Sequence, residues 1–263
     1  MKRNSLKRIL IYSFLAYLVP GLVLFFSQRN FLYFPVGEIH HKYDQMSLQN
    51  SGETINVIVL NKGQAKAIIY FGGNGEQAVC NATDFLKAFP DFTVYLFNYR
   101  GYSGSTGTPT EKGIFSDALL LYDRIDHQHL DISVVGRSLG SGVAVYLASE
   151  RPVAKMVLVT PFDSIRNVAQ QQYFMYPMSL LLKDKYDSIG RVVRIKSSTL
   201  VLIAEKDTVI PYNNSIRLVH AFPEGQVTAK VFKGADHNSI SWEKNYYEDL
   251  RTFLCERKSG SDG

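Results

Sequence analysis

Residues 132–147 read Ile132-Ser133-Val134-Val135-Gly136-Arg137-Ser138-Leu139-Gly140-Ser141-Gly142-Val143-Ala144-Val145-Tyr146-Leu147. A short β-branched run passes straight into Gly-x-Ser-x-Gly, and an apolar helical stretch follows with no spacer. That order describes a nucleophile elbow: a buried strand, a sharp turn and a helix, with Ser138 presented at the apex above a sheet. Small residues at 136 and 140 let strand and helix approach this closely. The amides that open the helix face the point where negative charge grows on an attacked carbonyl. The bland alternative is a strand–helix turn that happens to contain serine; the strand before it and the helix after it argue against that.

Working outward, the chain alternates. Strands are predicted at 55–60, 66–71 and 93–99, with helices at 76–89 and 111–126 between and after them. Downstream come a helix at 139–150, a strand at 154–160, a strand at 199–204, a helix at 212–222, a strand at 226–232 and a helix at 242–256. The stretch 161–194 is less regular and reads as a small cap, and 31–34 reads as a short aromatic strand or membrane-edge segment. Strands alternating with helices mean βαβ units, so the fold class is α/β, with a mostly parallel sheet and helices on both faces. No repeat, low-complexity tract or linker interrupts the chain after residue 35, so 31–256 is one domain and 257–263 a flexible tail.

A serine hydroxyl needs a base, and the base needs an acid to orient it. For this architecture the chain order is serine, acid, histidine, each after a later strand. Of the six histidines, His40 and His41 precede the sheet, His127 and His129 fall in a polar turn expected to be solvated, and His220 belongs to an amphipathic helix. His237, in Gly234-Ala235-Asp236-His237-Asn238, follows the last strand and meets the demand. Asp207 follows the strand at 199–204 at the expected place for the acid; Asp163, after the preceding strand, is its rival, and Asp236 is expected to support the histidine loop. Phe71-Gly72-Gly73-Asn74-Gly75 supplies glycines where a second oxyanion donor belongs. The expected hole is the backbone N–H of Gly73 with that of Leu139, Asn74 being the alternative to Gly73. A phosphate-loop reading of these glycines lacks the Gly-Lys-Ser/Thr ending.

The chain has 263 residues, 46% of them apolar and 20% charged, which is ordinary globular composition. Two cysteines build no disulfide scaffold, and no Cys/His spacing matches a zinc module. The net charge of +5 resembles a nucleic-acid binder's until it is located. Lys2, Arg3, Lys7, Arg8 and Arg29 account for all of it; elsewhere basic and acidic residues balance at 24 each, so no nucleic-acid partner is expected. Behind the basic tail (1–8), residues 9–26 carry no charge and, as a helix, span roughly 27 Å, close to a bilayer's hydrocarbon core. No small-x-small cleavage site follows, which favours an uncleaved anchor over a signal peptide. Four cations before the span, against Arg29 and Lys42 after it, put the N-terminus in the cytoplasm and the folded domain on the far side of the membrane.

With these residues assembled, the chain resembles the α/β-hydrolases, and specifically the ABHD branch of membrane-tethered serine hydrolases. The resemblance spans about residues 53–255. Gly72-Gly73-Asn74-Gly75 carries it, with Tyr99-Arg100-Gly101-Tyr102-Ser103-Gly104, Pro109, Glu111, Asp117, Gly136 to Gly142, Thr160-Pro161-Phe162-Asp163-Ser164 and the Asp207 and His237 segments. It implies catalytic Ser138, Asp207 and His237, and a structural place for Asp163. Relatives commonly begin the oxyanion loop His-Gly, whereas this chain has Phe71-Gly72. Depalmitoylating relatives carry an N-terminal cysteine cluster that is missing here. The expected activity is hydrolysis of a carboxylic ester or thioester of a small acyl-containing or lipid-like substrate, with no metal or organic cofactor. An aminopeptidase-like amidase and a catalytically silent binding protein of the same fold are the alternatives. Tyr173, Phe174 and Met175 are candidates for the acyl-pocket wall or a membrane-facing cap, unless they are ordinary core packing of a short cap helix.

Overall fold

The computed structural model describes residues 2–256; the predicted tail 257–263 lies outside the described residues. One sheet contains β1 (Asp44–Asn50), β2 (Glu53–Leu60), β3 (Lys66–Phe71), β4 (Phe92–Phe97), β5 (Asp131–Arg137), β6 (Lys155–Val159), β7 (Ser198–Ala204) and β8 (Val227–Phe232). The spatial order is β1-β2-β4-β3-β5-β6-β7-β8. β2 pairs antiparallel with β1 and β4, and every other pairing is parallel.

The parallel strands are continuous apolar runs because both of their faces are covered. In β3, Ala67, Ile69 and Phe71 join the layer of α3 (Glu111–Ile125), α4 (Leu139–Glu150) and α7 (Tyr212–Ala221). Ile68 and Tyr70, pointing the other way, meet α2 (Ala82–Ala88) and α8 (Tyr246–Cys255). The cap is α5 (Ile165–Gln172) and α6 (Met178–Leu181), and the N-terminal helix α1 runs unbroken from Lys2–Leu32 through Pro20.

Several expectations are corrected. Of the two readings of 31–34 the strand is overturned: α1 continues to Leu32 and Tyr33 is buried beyond it, at the end of the apolar helix. β1 went unseen because Asp-Gln-Met-Ser-Leu-Gln-Asn is an exposed edge strand in which Leu48 alone is buried. Its hairpin turn uses Ser51 (φ 55°) and Gly52 (φ 85°), the left-handed pair a two-residue turn requires. The helix expected at 76–89 opens as a 3₁₀ turn, Ala78–Asn81, and the final helix begins at Tyr246 after another, Ser239–Trp242. The uncharged stretch 9–26 lies within α1, whose Leu6–Leu32 portion is long and apolar enough to cross a membrane.

The strand order positions the site. β3 is followed by β4 on one side and flanked by β5 on the other, so the order reverses there, and ligands bind in the crevice such a reversal opens at the carboxyl ends of the strands. Phe71 stands in register with Gly136, which sets the loop after β3 beside the turn after β5.

Candidate active site

Ser138 sits between β5 and α4 with φ 50° and ψ −117°, a left-handed conformation that a serine adopts only under constraint. The constraint is visible around it. Its N–H donates to the Val159 carbonyl at 2.9 Å, and its carbonyl accepts from the Ser141 Oγ at 2.6 Å. A Cβ on Gly140 would be driven into the Phe71 carbonyl, and one on Gly136 would lie 2.7 Å from the Ala144 Cβ. Only glycine fits at both positions.

Two loops converge on Ser138. His237 follows β8 and Asp207 follows β7, strands that end side by side with Ala204 opposite Phe232. The His237 Nε2 lies 2.9 Å from the Ser138 Oγ, and the His237 Nδ1 lies 2.7 Å from the Asp207 Oδ2. A carboxylate only accepts, so Nδ1 carries the proton and Nε2 is left to accept from the serine hydroxyl. Asp207 is held by its other oxygen, which accepts from the Val209 and Ile210 amides at 2.9 and 2.7 Å. Its side chain is 3% exposed and that of His237 11%, so the pair is shielded from water.

Asp163 does something else. It is fully buried, and its oxygens accept from the Ser164 amide, Asn214 Nδ2, Asn167 Nδ2 and Arg217 Nε at 2.8–2.9 Å. With four donors it ties the cap to α7 and is not bonded to His237. Asp236 supports the histidine loop, accepting from the Asn238 and Ser239 amides at 2.9 and 2.8 Å. Those amides, Ser239 first, hold its carboxyl below the usual range. His129 corrects the expectation of a solvated ring: it bonds the Tyr95 hydroxyl at 2.8 Å and the Gln64 carbonyl at 2.9 Å.

The oxyanion loop also departs from expectation. The Gly73 N–H donates to the Glu76 Oε2 at 2.7 Å, so it is already engaged by a carboxylate. Asn74, the alternative, lines the cavity beside Ser138 and Leu139. Leu139 opens α4, so its N–H has no partner within the helix. Glu76 and Arg137 escaped sequence reading. Glu76 accepts from the Tyr70 hydroxyl and Asn81 Nδ2, both at 2.5 Å, and pairs with Arg137 at 3.4 Å. Arg137 also donates to the His237 carbonyl at 3.3 Å, linking the elbow to the histidine loop. Burial, then the nearby Glu76 charge, pushes the Tyr70 phenol well above its ordinary value and keeps it a donor. Behind the loop, Tyr99 donates to the Gly72 carbonyl at 2.7 Å, and Phe71 packs on Phe97 with ring centres 5.3 Å apart.

From Ser138 a cavity of about 240 Å³ extends between α1 and the cap. Its walls include Phe162, Ile165, Val168 and Tyr173. Of the three candidates Tyr173 lines the cavity, whereas Phe174 and Met175 do not and are 77% and 62% exposed, which fits the outward-facing cap alternative rather than the pocket wall or core packing.

The family model for the alpha/beta hydrolase fold matches residues 66–186. The chain is 32% identical over 279 residues to the uncharacterized protein Rv2307c of Mycobacterium tuberculosis, covering 96% of this chain and 98% of that one. It is 27% identical over 230 residues to the uncharacterized membrane protein YNL320W of Saccharomyces cerevisiae, covering 83% and 77%. Among solved structures, the esterase Pf2001 of Pyrococcus furiosus superposes with a TM-score of 0.70 at 17% identity, over 85% of this chain and 98% of that one.

Proposed function

The chain belongs to the alpha/beta hydrolase fold family, and from that premise we propose that it is a membrane-anchored serine hydrolase cleaving a carboxylic ester or thioester. One observation carries this reading: the unbroken hydrogen-bond chain Asp207–His237–Ser138 opening on an apolar cavity.

The proposed reaction runs on these same residues. The Ser138 Oγ attacks the carbonyl carbon while its proton passes to the His237 Nε2. Asp207 stabilises the imidazolium that forms and keeps Nδ1 protonated. The carbonyl oxygen becomes an oxyanion that the Leu139 amide and the Asn74 amide receive. The bond to the leaving oxygen or sulfur breaks as Nε2 returns the proton to it, leaving an acyl-serine. Water, deprotonated by the same nitrogen, then attacks the acyl carbon, and collapse releases the acid and restores Ser138.

The anchor is α1, whose Leu6–Leu32 stretch is long and apolar enough to cross a bilayer. The four cations before residue 9 support an orientation with the N-terminus in the cytoplasm and the hydrolase domain on the opposite side. Protease digestion of the domain from the cytoplasmic side alone would overturn that orientation. For the activity, a fluorophosphonate probe should label the wild type and spare Ser138→Ala. Folded wild type that stays unlabelled would refute the serine mechanism, and an ester and thioester panel then separates the two bonds.

A further inference from the structure

The cavity at Ser138 is not closed by the hydrolase domain alone. Leu24, Phe25, Gln28 and Leu32 of α1 line it, facing Val168 and Tyr173 of the cap. α1 docks through one face: Tyr17, Gly21, Leu24, Gln28 and Leu32 recur at the three- and four-residue spacing of a helix. Tyr17 stacks on Tyr176 with ring centres 4.9 Å apart, and a Cβ on Gly21 would lie 2.8 Å from that ring. Gln28 accepts from the Lys183 amide at 2.7 Å and donates to the Leu181 carbonyl at 3.2 Å, and Arg29 pairs with Asp184 at 2.7 Å.

Depth along the helix follows from its rise. The residues between Arg8 and Arg29 are uncharged and span about 30 Å, the thickness of a hydrocarbon core. Tyr17 lies about 18 Å from Arg29 along the axis, so the cap segment that touches it stands at the level of the lipid chains. That segment suits such surroundings. Phe174, Met175 and Leu180 are exposed. The carbonyls of Tyr173, Phe174, Met175 and Tyr176 accept from the Tyr176 amide, Gln170, the Tyr17 hydroxyl and Gln170 respectively, which leaves none bare.

Resting on the serine-hydrolase reading, we infer that α1 is a wall of the acyl site and that the substrate is a long-chain acyl ester of the bilayer. Its chain enters sideways between α1 and the cap and lies against Leu24, Phe25 and Val168, with its carbonyl at Ser138. The apolar walls suit a hydrocarbon chain, and an opening flanked by a membrane span delivers one without passage through water.

Full-length protein in phosphatidylcholine vesicles tests this with p-nitrophenyl butyrate and with p-nitrophenyl palmitate dissolved in the bilayer. Leu24→Trp fills the gap and should lower the palmitate-to-butyrate ratio of kcat/KM about tenfold, the loss expected from unseating two methylenes. Val168→Trp fills the same gap from the cap and should do the same, which guards against a folding defect in the α1 variant. Val23→Trp, one residue along on the exposed face, should keep the wild-type ratio. Equal ratios in wild type, Leu24→Trp and Val168→Trp, with butyrate turned over, would overturn the inference and leave the hydrolase reading intact. Wild type that hydrolyses neither ester and takes no fluorophosphonate would remove the hydrolase reading itself.

Discussion

Exchanging each of two aspartates for asparagine separates the chemistry of the site from the stability of the fold. In Asp207→Asn the outcome is set by the two amides at one oxygen. Val209 and Ile210 can only donate, so the asparagine carbonyl takes the Oδ1 position and its NH₂ points at the His237 Nδ1. The imidazole must then accept at Nδ1 and carry its proton on Nε2, where it faces the Ser138 hydroxyl and cannot act as a base. Wrong-tautomer losses of this kind are about 10⁴-fold in kcat, or about 5.4 kcal/mol of barrier. Folding should change little, since both amides keep an acceptor.

Asp163→Asn reverses the pattern. Four donors meet the two carboxylate oxygens, and an amide turns its NH₂ toward two of them. Unsatisfied buried donors cost about 1–3 kcal/mol each. The Arg217 side chain, 42% exposed, recovers part of its loss in water, so about 3 kcal/mol is expected. For a chain of this size that lowers Tm by roughly 6–12 °C. Steady-state turnover of a soluble ester and thermal unfolding monitored by circular dichroism read both variants. Abolished turnover in Asp163→Asn at unchanged Tm, with Asp207→Asn active, would show that the acid is assigned to the wrong aspartate.

Two further outcomes follow from the elbow and its neighbouring loop. Asn74→Pro removes the amide assigned to the oxyanion and should lower kcat by roughly 10²-fold, whereas Asn74→Ala retains most of it; equal kcat in both would move the donor elsewhere. Gly140→Ala forces a methyl into the Phe71 carbonyl and within 2.7 Å of the Gly72 carbonyl oxygen, and should cost about 3 kcal/mol. Gly37→Ala, with nothing within 4 Å, is the matched control, and an equal Tm for the two would contradict the close approach of β3 and α4.

Much of the architecture was legible because it is written in local pattern. The run from Ile132 to Leu147 contains its own strand, turn and helix, and the bounds of α4 were read correctly from it. β3 was equally plain, since a strand covered on both faces is apolar throughout. β1 was not, because an edge strand buries one side chain and its composition is that of a loop. His129 was misread for a related reason. Its partners, Tyr95 and the Gln64 carbonyl, are remote in sequence, and a polar turn gives no sign of them.

The site divides along the same line. Residue type, spacing and chain order by themselves pointed to Ser138, an acid after β7 or β6, and a histidine after β8, because an elbow and a serine–acid–histidine order are properties of a linear chain. Position after β7 and the resemblance already favoured Asp207 over Asp163, and the hydrogen bonds give the physical reason: one carboxylate reaches Nδ1 and the other is consumed by four donors. The tertiary structure also decided that Glu76 captures the Gly73 amide and that α1 lines the cavity at Ser138. These contacts depend on directions fixed when distant segments pack, and local pattern carries no record of where an amide points or which helix face a cap will cover.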